Sequence, residues 1–457
     1  MVNFSGTGLG TGTTAVKFST APTLSNGILA YTRYNNYDLA SYDAINGVVV
    51  ATYNGNSVNG SSATTDNIYL NAVETLTGSK TINALVSAPG GGQVFNLGGN
   101  TLSVTSGNVL LYSDLSSIAK GTLALGAAEG YFHGSSRNAL GGQNWENQLT
   151  LTGSGGVTYS GDITLVYLNA NYTGATRVLG SLVLGLSLDT MLPATSAVIL
   201  EAGSSVASDN RITRTWTIGS LAGTGSLGLT ANQTLRTGND NTSTTYSGPI
   251  SGNFNIEKIG TGTWTVTGSN SASGSTTVSG GTLLVNGTHT NAGAYSVTAG
   301  ATLGGSGIIT GNTTTAVGSS GSPATVSPGN SIGTLTVKNM TFGDNSRLLI
   351  ELDGGAGDLL VVTGELNVSG TGTVLELLGD YSSSPILTWG SYGTGGYAFD
   401  IVRYGDDDYT WAEATTDGAF GFYQLEVRGS GLYLIPEPAS AVLLLLGAAA
   451  LLNRRRR

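Results

Sequence analysis

The sequence predicts an all-β fold, a parallel β-helix (β-solenoid) in which short strands stack turn upon turn. Three observations carry that expectation. Glycine accounts for 71 of 457 residues, about twice the usual share of roughly 7%. Charged residues make up 10%, against about 25% in an ordinary soluble domain. Apolar residues alternate at period two in runs seldom longer than five residues between glycines, as in Thr263-Trp-Thr-Val-Thr-Gly268, which is strand periodicity with frequent bends.

Each observation has a physical basis. Glycine supplies the positive φ that a tight bend needs. Stacked turns lie about 4.8 Å apart, so like charges in register repel, whereas Thr, Ser and Asn form hydrogen-bonded ladders. The 39% hydrophobic content and only nine prolines leave enough apolar surface for a core and argue against a disordered or collagen-like chain. The absence of cysteine excludes disulfides, thiolate metal sites and cysteine nucleophiles. Four of the eighteen basic residues are Arg454 to Arg457, leaving 14 basic against 28 acidic residues in the body. So few scattered cations do not suit nucleic acid, which requires clustered Lys and Arg.

In chain order, residues 1–144 read as N-terminal β-helix turns. The first ten residues carry neither a basic nor an apolar export region, so an export signal is expected upstream of Met1. Residues 145–340 are the clearest repeats. Asn169-Ala-Asn-Tyr-Thr-Gly-Ala-Thr-Arg-Val-Leu-Gly-Ser-Leu-Val-Leu184 parallels Gly268-Ser-Asn-Ser-Ala-Ser-Gly-Ser-Thr-Thr-Val-Ser-Gly-Gly-Thr-Leu-Leu-Val285. Residues 341–434 carry longer runs such as Arg347-Leu-Leu-Ile-Glu-Leu352 and read as a C-terminal β region or cap over the last turn, whose backbone is otherwise unpaired.

Residues 435–457 are different in kind. Pro436-Glu437-Pro438 precedes an uncharged stretch from Ala439 to Leu452, with Val442, Leu443, Leu444, Leu445, Leu446, Leu451 and Leu452 as its apolar side chains, and Arg454, Arg455, Arg456 and Arg457 follow. Fourteen helical residues reach roughly 21 Å, short of the ~30 Å hydrocarbon core. The terminal arginines lengthen the span by snorkelling and fix its cytoplasmic side. A single short transmembrane helix is therefore expected here.

Order, spacing and position in this tail resemble the PEP-CTERM sorting signal. The resemblance implies recognition and cleavage by an exosortase near residues 436–438, after which the body lies at the cell surface or outside, often with exopolysaccharide. The body resembles the autotransporter-associated β-strand repeat. The best copy is Lys258-Ile-Gly-Thr-Gly-Thr-Trp-Thr-Val-Thr-Gly-Ser-Asn270 continuing to Gly280-Gly-Thr-Leu-Leu-Val285, with Val326-Ser-Pro-Gly-Asn-Ser-Ile-Gly-Thr-Leu-Thr-Val337 as an associated turn. That family implies a right-handed β-helix exported to the surface. The large outer-membrane barrel of true autotransporters has no counterpart in Asp400 to Tyr433.

Candidate chemistry is sparse, and no cofactor is expected. His133 and His289 lack the spacing of a metal pair and read as isolated surface residues. Gly329-Asn-Ser331-Ile-Gly333 spells a nucleophile elbow, but no helix is expected after it. Asp406-Asp-Asp408 suggests a cation site or a solvated turn, and Asp353, Asp358 and Asp400 suggest a carbohydrate-cleaving set. Two readings follow. One is a non-enzymatic, adhesin-like surface protein presenting a polar repetitive face to exopolysaccharide or neighbouring cells. The other is a β-helical polysaccharide lyase or glycoside hydrolase.

Overall fold

A computed structural model describes residues 2–436 apart from 12–13, 31, 89–92, 113–115, 143, 186–189, 210–212, 291–292, 316–317, 320, 380–381, 383, 417–418 and 421–422. The expected membrane helix at 439–452, the residues Glu437 and Pro438, and the arginines 454–457 lie outside the described residues. Among the described residues no helix is long and apolar enough to cross a membrane.

The chain forms two compact units, Met1–Thr242 with Tyr246–Phe254, and Ser243–Thr245 with Asn255–Arg457. Both are parallel β-coils, as the alternation and glycine content require.

The first unit opens with a small lobe. Strands Val2–Phe4, Thr32–Tyr34, Asp38–Asp43 and Gly47–Val50 form a four-stranded sheet around Leu29, Ala40 and Val48. Parallel stacking starts at Asn67–Leu70 and builds three faces. One contains Asn67–Leu70, Ala84–Ser87, Asn108–Leu111 and the first half of Gly130–Leu140. A second runs through Val94–Asn96, Ser117–Ala119, the latter half of Gly130–Leu140, and on through Val157–Leu165 to Ser181–Leu184. The third stacks Lys80–Ile82, Thr101–Val104, Gly121–Ala124, Leu149–Gly153 and Leu168–Tyr172. Gly130–Leu140 and Val157–Leu165 turn a corner and serve two faces each, with a register break between Gly134 and Asn138.

Burial follows the alternation wherever one face is free, as in Leu149–Gly153. Strands Ala84–Ser87 and Asn108–Leu111 are buried at every position, because the N-terminal lobe covers their outer face. Ile28, Leu39 and Ala51 of the lobe pack with Ala84, Val86 and Leu110 of the coil. The Tyr37 and Tyr112 rings meet at 4.8 Å, and the amides of Asn67 and Asn83 donate to the carbonyls of Asn26 and Ser25. Strands covered on both sides read as unbroken apolar runs.

The second unit repeats the scheme. Thr263–Val266, Thr282–Val285, Thr302–Gly305, Ala324–Pro328, Ser346–Asp353, Val374–Gly379 and Ile401–Tyr404 stack in parallel. Their register aligns one inward ladder, Trp264, Leu283, Leu303, Val326, Leu348, Leu375 and Val402, every member buried. Burying such side chains contributes about 1.5–3 kcal/mol each, and each rung is sealed only by the turns above and below it. The stack ends in antiparallel pairing. Tyr423–Arg428 and Gly431–Pro436 form a hairpin whose second strand pairs with Pro385–Tyr392, satisfying backbone groups that another parallel turn would otherwise take.

Charges are sparse on the stacked faces, and two opposite-charge pairs bridge successive turns. Arg177 pairs with Glu201, and Arg347 with Glu376 at 2.8 Å. That is the pattern in-register stacking demands.

Candidate functional surface

A cleft of about 1000 Å³ with a mixed polar and apolar lining lies on the second face of the first unit. Its floor is built of rungs in parallel register: Val94, Ser117, Ala139, Thr164 and Val183 stand directly above one another. Short side chains on successive rungs keep this face shallowly concave. Two local departures from the regular coil raise its walls.

The first wall is the break in Gly130–Leu140. Between the pairs Gly134↔Gly161 and Asn138↔Ile163, three residues oppose the single residue Asp162. This bulge is wide enough to turn the chain, and Arg137 adopts φ +42 within it, a conformation that costs a non-glycine residue free energy. Arg137 and Asp162 both line the cleft. The second wall is the excursion between Leu140 and Leu149. Gly141 donates to Ile118 O at 2.8 Å, and Lys120 and Gly121 donate to the carbonyls of Asn147 and Gln148. The Asn144 side chain caps a single 3-10 turn, Trp145–Asn147, by accepting from Asn147 N. Asn144 and Asn147 line the cleft, and Trp145 between them is 73% exposed.

The sequence reading singled out none of these residues. The available signal was Gly141-Gly142 followed by Asn144-Trp-Glu-Asn147, an aromatic and amide-rich insertion at a place where neighbouring repeats pass directly from strand to strand.

The histidines correct the sequence expectation, since both are buried: His133 is 5% and His289 2% exposed. His133 lies on the face that the N-terminal lobe covers. Its ring contacts Arg33 of that lobe, and Nδ1 lies 2.9 Å from Ser160 Oγ. His289 faces inward against the Tyr295 hydroxyl. Burial, with Arg33 adding to it at His133, pushes the two imidazoles down to about 3 and about 4. A histidine with a depressed folded pKa stabilises the fold fully above its unfolded value of about 6.5, and that stability is lost as pH falls. Asp358, raised by burial to about 6, acts in the opposite sense over about pH 4–6, but two imidazoles outweigh one carboxyl. The thermal midpoint is therefore expected to fall steadily between pH 7 and 4.5, above the range where most carboxylates titrate. His289→Gln is expected to flatten that slope. A midpoint independent of pH across this range refutes the assignment.

The acids singled out in the sequence are not brought together. Asp358 is fully buried and accepts from the backbone N–H groups of Gly333 and Glu351 at 2.8 and 2.9 Å. It thus fastens the turn at Gly329–Gly333, and Ser331 is followed by strand Thr334–Phe342 rather than a helix. Asp353 lies in a hairpin opposite Ala356. Asp400 accepts from Thr373 N. Asp406 lies in the turn of the hairpin Ile401–Tyr404/Asp407–Thr410, in which Asp408 takes both Nε and Nη2 of Arg403, at 2.6 and 3.0 Å. Among the described residues no group of three or more His, Asp or Glu is placed to hold a metal ion. Of the residues expected to form a sorting tail, Pro436 is the last described one, paired with Tyr423 at the end of the closing hairpin.

Comparison with known proteins adds two findings. Residues 256–285 match the family described as the passenger-associated transport repeat, the stretch that contains Trp264 and the first two rungs of its ladder. Over 161 residues, 33% of this chain, the sequence is 33% identical to an adhesin autotransporter, BmaC, of Brucella suis biovar 1 (strain 1330). The match spans 4% of that protein's length. The chain thus carries an autotransporter-like β-helical repeat and has an adhesin-like relative.

Proposed function

We propose that this chain is a surface-displayed, adhesin-like β-helix, delivered to the cell exterior and acting by contact with exopolysaccharide or other matrix material in a biofilm rather than by turnover. The observation that carries the reading is the transport-associated repeat at residues 256–285, embedded in an unbroken parallel stack. The adhesin relative and the commitment of Asp358, Asp400 and Asp408 to backbone or arginine partners support it. In this reading Pro436-Glu437-Pro438, the apolar helix at 439–452 and Arg454 to Arg457 form a PEP-CTERM address. The helix inserts in the membrane, the arginines stay cytoplasmic, and an exosortase releases or transfers the right-handed coil.

The test is fractionation of cells expressing the full-length gene or a version lacking residues 436–457. Loss of the tail is expected to move the protein out of the surface fraction. Unchanged distribution overturns the sorting assignment. Turnover of any polysaccharide, abolished by changing one carboxylate, would favour the lyase or hydrolase alternative.

A further inference from the structure

We infer that the seam between the N-terminal lobe and the first rungs of the coil binds an amino-sugar glycan. Asp38 receives its protonated amine, and the tyrosines around Asp38 stack on its rings. The inference deepens the surface-display reading and rests on it for its biological setting, but its evidence is local.

Register sets the coil side of the seam. Tyr69 stands beside Val86, and Val86 beside Leu110. Tyr112, two residues beyond Leu110, shares its face. Tyr69 and Tyr112 therefore border the apolar contact that Ala84, Val86 and Leu110 make with the lobe. From the lobe, the Tyr37 ring meets Tyr112 at 4.8 Å. Tyr53, just after the lobe, stands edge-on to Tyr69 at 5.2 Å. Tyr37 is 48% exposed and the other three are partly buried, so the rings lead from solvent into the seam.

Asp38 lies among these rings. Tyr53 Oη donates to its Oδ1 at 3.2 Å and accepts from Leu39 N at 3.1 Å. Burial, then the Asp38 charge and Tyr112, raise the Tyr69 hydroxyl, which places carboxylate and rings in one electrostatic neighbourhood. Burial also raises the Asp38 carboxyl, opposed by the Tyr53 hydrogen bond, and among the described residues no cation offsets it. Packing of the lobe accounts for the rings but not for this charge. A partly buried carboxylate without a counter-charge costs free energy, and an acid perturbed in this way marks a candidate binding site.

The chemistry selects the ligand. A carboxylate calls for a cation, and tyrosine faces attract one within about 6 Å of their centroids. The net charge of −10 favours a cationic partner and repels a polyanion. A row of rings carrying hydroxyls also matches the flat C–H faces and hydroxyl groups of successive sugars. A lysine ammonium on a peptide would need only one ring and one acid.

The experiment is calorimetric titration of the purified full chain at about pH 6, between the ordinary carboxylate and amine ranges. The probes are a glucosamine hexasaccharide, its fully N-acetylated counterpart and an oligolysine of equal charge. Wild type is expected to bind the glucosamine oligomer at least about tenfold tighter than either other probe. Asp38→Asn is expected to weaken that binding about tenfold, and Tyr37→Ala about fivefold. Asp407→Asn, which removes one exposed charge from the second unit, is expected to leave it unchanged. Asparagine keeps an acceptor for Tyr53, so D38N is expected to melt with the wild type; should it unfold, Y37A and the two wild-type sugar titrations decide. No binding of the glucosamine oligomer, equal binding of its acetylated form, tighter binding of oligolysine, or equal loss in D38N and D407N overturns the proposal. Because the assay uses purified protein, a failure of the sorting assignment leaves its outcome untouched.

Discussion

Gly223→Ala is expected to destabilise the first unit by about 3–5 kcal/mol, combining backbone strain with overpacking. Gly223 ends strand Ser220–Gly223 at φ +105, where an added Cβ would sit 2.0 Å from Leu200 O, its register partner in the preceding turn. Neither neighbour can yield cheaply. Leu200 O is backbone, and its strand is held by the turns on either side. The same device recurs at Gly252 over Leu229, at Gly305 over Val285 and at Gly379 over Leu352, with φ between +106 and +112 and approaches of 1.9–2.2 Å. A glycine stacked on the last apolar residue of the previous strand is therefore how this coil turns a corner without spreading its turns. Gly203→Ala is the control: φ is +79, but nothing lies within 4 Å of the added methyl, so its cost is expected near 1 kcal/mol. Urea melts of the two variants decide the matter, and equal midpoints would show that close approach contributes nothing.

The sequence made the coil legible because its determinants are local and repeat. Alternation placed Leu149, Leu151, Trp264 and Leu283 inward, and the scarcity of charge announced in-register stacking. Glycine frequency announced the bends, but not which glycines are indispensable. The clash at Gly223 depends on a carbonyl 23 residues earlier, which only the register reveals. The histidines failed for a related reason. His133 is buried by Arg33, 100 residues away, on a face that the local pattern leaves open. The candidate groove was illegible because it is made of exceptions, a bulge of Ser135, Ser136 and Arg137 against Asp162 and an excursion carrying Trp145. Period-two reasoning passes over both.

Lys258→Met is expected to cost the second unit about 2–4 kcal/mol, and Lys258→Ala more, because three carbonyls lose a buried donor. Alternation could have exposed this residue, since Ile256 and Lys258 share a face and strand Asn255–Lys258 buries both. Lys258 is 1% exposed, and its Nζ donates to Ile259 O at 2.7 Å, Gly260 O at 3.3 Å and Gly280 O at 3.0 Å. Gly260 and Gly280 follow strands of successive turns whose register pairs Lys258 with Val278, so one ammonium clamps two corners of the matched repeat. Methionine preserves the stem volume, which isolates the polar contribution, while alanine adds a cavity. Burial lowers the amine to about 8, below its unfolded value of about 10.4. Between those values the unfolded chain binds more protons, so wild-type stability should rise with pH from about 8 to 10, a rise absent from K258M. The lysine matters here as a structural clamp, and its effect must therefore appear in urea melts of the purified protein without any glycan. A wild-type midpoint in K258M would mean that water satisfies those carbonyls equally well, and the repeat's lysine would then be a bystander in the stack.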